Sequence, residues 1–203
     1  HGNNIKKKKI SSSWYRKLDI ILKKKLKYKN ELIRSMKMLS QKKNTIFIGQ
    51  SVKFSGNAIY NTLVNVLPKK KIEFPVAEEM QMGVSIGLAL NGYVPISCYP
   101  RFDFLLLACN QLINHLDKIK KMSDGQFKPK VIIRTSIGSK KPLDGGVQHT
   151  QNYTHMFKNI LTEIDVIYLD KPSKIFKTFK NCINPKVKKS FLIIENGDFY
   201  NEK

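Results

Sequence analysis

The chain has 203 residues, 41% of them hydrophobic and 10% aromatic, enough for one globular domain with a full core. Lys and Arg number 37 against 15 Asp and Glu, and the net charge of +22 has two explanations, a lysine-rich solvated surface or an acidic partner. Cys98, Cys109 and Cys182 are odd in number, far apart and without Cys-x-x-Cys spacing, which excludes a disulfide framework and a zinc site, and no apolar run approaches the roughly 18 residues of a bilayer span.

Residues 1–27 read as a polar, basic arm that could dock on a partner, with Trp14, Leu18, Ile21 and Leu22 on a short helix. The lysine clusters at 6–9, 23–25 and 69–71 are not interleaved with stacking aromatics, so nucleic acid is not the expected partner. The domain proper spans 28–203. Leu32, Met36 and Leu39 fall at helical spacing, and the run from Thr45 to Gly49 is a buried-type strand. Ile59, Leu63, Val64 and Leu67 predict a helix closed by Pro68 and a lysine triplet.

Ile72 to Phe74 reads as a strand stopped by Pro75, after which a helix restarts with Glu78 and Glu79 at its mouth, where carboxylates suit the positive end of the helix dipole. Gly83 and Gly87 lie on one face of that helix at a cost of about 1 kcal/mol each, and the usual reason is close approach of another backbone. A strand over 94–98, a long helix from Asp103 to Lys121, a strand from Val131 to Thr135, a glycine-rich loop and a helix from Asn152 to Lys158 follow. The chain closes with a strand from Asp165 to Leu169, a helix from Pro172 to Cys182 and a strand from Phe191 to Glu195. This alternation predicts the doubly wound α/β class: a mostly parallel sheet with helices on both faces and ligands gathered at the carboxyl ends of the strands.

Six ordered blocks carry a resemblance. They are Ala77 to Gly87, Gly92 to Ile96, Phe102-Asp103-Phe104 with Asn110 to Asn114, Met122 to Gln126, Val131 to Arg134, and Gly145-Gly146-Val147-Gln148-His149-Thr150-Gln151. Together they resemble the pyrimidine-binding domain of thiamine-diphosphate enzymes, in particular transketolase-like proteins and the beta subunits of 2-oxo-acid dehydrogenases, over roughly 28–200.

The resemblance implies thiamine diphosphate as cofactor and Glu78 as the carboxylate on the ring nitrogen of its aminopyrimidine, since counting back from Gly83 and Gly87 leaves Glu79 one position late. It implies Phe104 as the aromatic stacked on that ring, and His149 as a group that moves protons or stabilises charge at the reacting centre. Without the resemblance, Phe104 reads as a core residue, His149 as a solvated loop residue, and His115 and His155 as structural. No metal ligands are expected in this chain. The Gly-Asp-Gly segment and later asparagine that hold magnesium and diphosphate are missing, which implies a partner subunit gripping both, with homodimerisation of this chain also open.

The sequence given stops just after the strand at 191–195, short of the further domain of the dehydrogenase beta subunits, so a role with lipoyl acceptors is not expected. The expected protein is a cytoplasmic enzyme subunit acting on a 2-oxo acid or keto sugar. The alternative is a basic interaction module that keeps the fold and binds an acidic macromolecule without catalysis.

Overall fold

The computed structural model describes residues 26–141 and 143–201, so all of the proposed basic arm but Leu26 and Lys27 lies outside the described residues. In chain order the main elements are α1 (Tyr28–Ser40), β1 (Thr45–Gly49), β2 (Lys71–Glu73), α2 (Glu78–Leu90), β3 (Val94–Tyr99), α3 (Phe102–Leu105) and α4 (Ile119–Met122). They continue with β4 (Ile132–Ile137), α5 (Thr154–Ile160), β5 (Asp165–Tyr168), α6 (Pro172–Cys182) and β6 (Phe191–Asn196). The six strands form one sheet in the order β2-β1-β3-β4-β6-β5, parallel at every pairing. The expected doubly wound α/β architecture is therefore present, with the antiparallel allowance unused.

Strand residues alternate between two cores. Phe191 and Ile193 of β6, Ile132 of β4 and Ile96 of β3 face Leu32 and Met36 of α1 and Ile175 and Phe179 of α6. Leu192, Ile194 and Ile133 point the other way, toward Met82 and Ile86 of α2, Phe102 of α3 and Phe157 of α5. Burial on both faces is why these strands read as unbroken apolar runs. After β1 the chain winds first outward to β2 and then back to β3 on the other side of β1, so the strand order reverses at β1. A ligand crevice in such a sheet forms at that reversal, outside the carboxyl ends.

Two expectations from the sequence change. The segment predicted as a helix over 59–67 is regular only as a single tight turn of 3-10 helix, Tyr60–Thr62. Ile59, Leu63 and Val66 still reach the core while Val64 and Leu67 face solvent. The lysine triplet does not close that helix. Lys70 Nζ instead donates to the carbonyls of Lys42 at 2.6 Å, Lys43 at 2.8 Å and Thr45 at 3.0 Å, tying the turn between α1 and β1. The predicted long helix over 103–121 keeps its helical course but changes pitch, from α3 to a 3-10 turn (Leu106–Ala108), a wide π turn (Asn110–Leu116) and α4. Leu105, Ala108, Leu112 and Leu116 stay buried throughout.

Asp117 follows the π turn of this run and was not singled out from the sequence. Its side chain is fully buried and accepts from the backbone N–H of Thr162 at 2.9 Å and of Glu163 at 2.8 Å, from the Thr162 hydroxyl and from Lys118. Burial alone would raise its pKa, but the Glu163 N–H, the Lys118 ammonium and both Thr162 donors outweigh it and hold the carboxyl below its ordinary value. A depressed carboxylate stabilises the fold above its unfolded pKa of about 3.9, and that contribution is lost as pH falls through the lower folded value. Asp117→Ala is expected to cost about 1–3 kcal/mol at neutral pH by leaving buried donors unpaired. The gap in Tm between wild type and variant should narrow below about pH 4, and a gap unchanged in strong acid would reject the assignment.

Candidate active site

Helix α2 begins at Glu78, directly after the Pro75 break that follows β2. Its inner face is fixed to the sheet by polar contacts. Gln81 donates to the Ser97 hydroxyl at 3.0 Å and to the Cys98 carbonyl at 3.1 Å, and Ser85 donates to the Gln81 carbonyl at 2.8 Å and reaches Ser97 at 3.1 Å. All four residues are buried, so this network pins the start of the helix against the carboxyl half of β3. Tyr99 adds the last tie, its hydroxyl donating to the Glu78 carbonyl at 3.3 Å. Burial holds the Tyr99 phenol well above its ordinary range, so it remains a donor.

Glu78 is thus set down where the sequence placed it. The residue is only 8% exposed, yet among the described residues its carboxylate makes no hydrogen bond or ion pair. It lines an open groove of about 700 Å³ with Ala77, Glu79, Met80, Gly83, Leu107 and Gln111. Glu79 differs in kind: it is exposed and accepts from Asn110 at 2.8 Å. Met80 and Leu107, 62% and 63% exposed, give the groove apolar lips.

The backbone approach expected at the two helix glycines is not made among the described residues. A side chain at Gly83 would meet only Gln111, at 3.7 Å, and one at Gly87 would meet nothing. Both leave that stretch of α2 bare.

Phe102 and Phe104 divide between core and site. Phe102 is buried, stacked on Phe157 at 5.4 Å and edge-on to Tyr153 at 5.5 Å. Phe104 is half-buried and meets His149 edge-on, with ring centroids 5.5 Å apart. The structure therefore brings Phe104 and His149 together across 45 positions of sequence. The helical run after β3 carries both Phe104 and Leu107, and Leu107 lines the Glu78 groove. Among the described residues His149 Nδ1 is buried without a hydrogen-bond partner, as is Asp103 Oδ2, whose other oxygen accepts from Tyr153 at 3.3 Å.

Residues outside the sequence-level candidates position His149. Asp198 Oδ1 accepts from the Lys140 N–H at 2.7 Å, the Ser139 hydroxyl at 3.0 Å and the Lys141 N–H at 3.3 Å, gathering the chain just after β4. Beside it, Gly138 packs directly under the His149 carbonyl, where a Cβ would overlap the oxygen. The signal available in the sequence was a lone glycine after a strand. Gly138→Ala is expected to cost about 1–3 kcal/mol through this overlap and to push His149 away from Phe104. Trypsin should then cut faster after Lys140, the Lys141–Pro142 bond being resistant, and an unchanged cutting rate would mean that the crossing does not hold the loop.

The remaining candidates stay outside the site. His115 and His155 are exposed on helical turns. Burial pushes the Cys98 thiol up to about 11 and the Cys182 thiol up to about 12, and raises Cys109 as well, so all three are protonated near neutrality and poor nucleophiles. Among the described residues no cluster of His, Cys, Asp and Glu is arranged to hold a metal ion, and no helix is long and apolar enough to cross a membrane.

Glu78 follows β2, Phe104 follows β3 and His149 follows β4, so a carboxylate unpaired among the described residues, an imidazole and a half-open phenyl ring lie on connections at the carboxyl end of the parallel sheet. This set suits a flat heteroaromatic ring carrying proton-exchanging nitrogens. Residues 32–201 match the family model described as transketolase, pyrimidine binding domain. The pyruvate dehydrogenase E1 component subunit beta of Chlorokybus atmophyticus is 25% identical over 169 residues, covering 81% of this chain and 49% of that protein. That of Rickettsia conorii is 32% identical over 93 residues, covering 46% of this chain and 28% of that protein. The chain thus spans about half the length, or less, of these relatives. A solved split gene transketolase, described as an inactive beta4 tetramer, superposes with a TM-score of 0.57 at 14% identity, over 83% of this chain and 51% of that one, and shares the fold. With its matched segment covering nearly all of the described sheet, the chain belongs to the transketolase pyrimidine-binding domain family.

Proposed function

We propose that this chain is the pyrimidine-binding component of a thiamine-diphosphate enzyme that makes or breaks a bond next to a carbonyl, on a 2-oxo acid or a keto sugar. The observation that carries the reading is Glu78: a nearly buried carboxylate, without a partner among the described residues, lining a groove of about 700 Å³. The residues present fit the aminopyrimidine end of the cofactor, with Glu78 to face a ring nitrogen and Phe104 to cover the ring. When bound, thiamine diphosphate supplies a carbon acid whose conjugate base adds to carbonyl groups.

The chain's own part is to hold and move protons. Glu78 holds a proton shared with the pyrimidine nitrogen, and its burial keeps water from competing for it. His149, with Nδ1 unpaired and its ring set against Phe104, exchanges a proton with the substrate or neutralises charge on its oxygen. Met80 and Leu107 exclude water at the groove lips.

The diphosphate and Mg2+ are assigned to a partner subunit that closes over the bare face of α2 at Gly83 and Gly87, and a second copy of this chain can pack beside that seam. This reading is tested by mixing the chain with a candidate diphosphate-binding subunit, thiamine diphosphate, Mg2+ and a 2-oxo acid or keto sugar. Turnover should need both chains. Activity of the partner alone at the full rate would refute a role for this chain.

A further inference from the structure

At the end of the sheet opposite Glu78, the amino ends of β1, β3, β4 and β6 border a cleft of about 390 Å³ lined by Lys42, Lys128, Lys130 and Lys188. Through Lys42, Ile183 and Pro185 it runs on into a second cleft of about 550 Å³, which adds Lys177 and Lys180. The two linings hold six lysines and no Asp or Glu. Among the described residues none of the six is in an ion pair, whereas Lys118, Lys120, Lys174 and Lys189 each have a carboxylate. The chain's scarce acids are placed on other lysines, so these six share a concave surface with no counter-charge.

Lys130 makes the imbalance explicit. Half-buried, it donates to the Asn184 carbonyl at 2.7 Å. Burial and then the charge of Lys188 lower its pKa, the sign of like charges held close together.

The floor between the lysines is apolar, from Tyr93, Ile183 and Pro185 to Met38. Phe176 in the second cleft is already covered by the Arg34 guanidinium at 3.9 Å, which leaves Tyr93 as the one exposed ring of the two linings, and single-strand binders stack successive bases on several. The chain cannot supply the complement itself. Residues 1–25 carry nine Lys and Arg against one Asp, and a second copy brings the same net +22.

From this combination we infer that the groove docks an acidic segment of another protein, its carboxylates meeting the lysine rim and its interspersed apolar side chains meeting the Tyr93, Ile183 and Pro185 floor. Such a contact sits away from the Glu78 groove and leaves that site open. Complementary charge of this kind sets encounter rate and partner choice and weakens as salt rises.

The test is fluorescence anisotropy of the full chain with a labelled peptide of mixed Glu and Leu, against poly-Glu of the same length and oligothymidylate of similar charge. Changing Lys42, Lys128 and Lys188 together to Glu is expected to weaken the Glu/Leu peptide by about tenfold or more, while the same reversal at Lys53, Lys69 and Lys158 weakens it by less than about threefold. Poly-Glu should bind more weakly than the Glu/Leu peptide. Equal loss in the two triple variants would reduce the groove to general attraction by a basic protein and overturn the proposal. Tighter binding of oligothymidylate, lost in the first triple only, would replace the protein partner by nucleic acid, and no binding at low salt would also overturn it. If the reversal triple does not fold, the corresponding Lys→Ala triple is read by the same criteria.

Discussion

Glu78→Gln is expected to lower turnover of the reconstituted enzyme by about 10²–10⁴-fold, the usual size of a lost acid–base group. Glutamine keeps the shape of the side chain, so helix α2 should retain its Gln81, Ser85 and Tyr99 ties to β3. What it removes is an oxygen able to share a proton with a ring nitrogen. Tm and far-UV circular dichroism should match wild type, since the Glu78 carboxylate has no partner within the described chain to lose. Glu79→Gln is the internal control. That side chain is exposed and already bonded to Asn110, so its loss should leave the rate within about twofold. A Glu78→Gln enzyme that turns over normally, or a Glu79→Gln enzyme that fails in its place, would move the acid–base role off Glu78.

The largest expected effect on stability lies elsewhere, at Arg134 and Glu195. Both side chains are fully buried at the centre of the sheet, on adjacent strands β4 and β6. Arg134 Nε donates to Glu195 Oε1 at 2.6 Å and Nη2 to Oε2 at 2.9 Å, while Nη2 also reaches the Thr62 hydroxyl at 3.1 Å. Tyr200 donates its hydroxyl to the same carboxylate, and Tyr28 bridges the Leu169 carbonyl and the Asn196 N–H nearby. Burial by itself would lower the Arg134 pKa, but Glu195 beside it more than offsets that and holds it above its ordinary value, so the guanidinium is charged. Burial and then Glu195 hold the Tyr200 phenol far above its ordinary value, so it too stays a donor.

Removing one partner strands a buried charge. Glu195→Ala is therefore expected to cost about 3–5 kcal/mol, roughly 6–20 °C in Tm for a chain of this size. The double change Arg134→Met with Glu195→Leu should cost less than Glu195→Ala, because it removes both charges and fills the space with apolar atoms. Thermal melts of the three proteins decide the matter, and a Glu195→Ala protein that melts like wild type would show that water reaches the pair.

Where local signals agreed, the sequence was read closely. Strand β1 runs from Thr45 to Gly49 and α6 from Pro172 to Cys182, both as expected, because β-branched runs, a terminal glycine and a Pro at the first helical turn mark their ends. Over 59–67 the apolar spacing was helical, and it did direct Ile59 and Leu63 into the core, while Val64 and Leu67 face solvent. The backbone followed a different path. Thr62 turns its hydroxyl to the Ile59 carbonyl and to Arg134, a partner 72 positions away that no local window contains. The contacts of Asp117, Asp198 and Glu73 were illegible for the same reason. Each is a carboxylate whose partners are backbone N–H groups at least 20 positions distant, such as those of Ser51 and Lys53 for Glu73.

The sequence by itself determined the alternation of strands and helices, hence the parallel two-faced sheet, and through six ordered blocks the family, with Glu78 at a helix mouth. Periodicity and end signals act within a few residues, and a chain carries them whether or not it is folded. Only the tertiary structure decided that Phe104 rather than Phe102 leaves the core to meet His149, that Glu78 keeps its carboxylate unpaired, and that six lysines from four separate stretches share one groove. Those facts depend on which distant segments the sheet order brings side by side, and contacts across such separations are set by packing of the whole fold, to which no local pattern of residues refers.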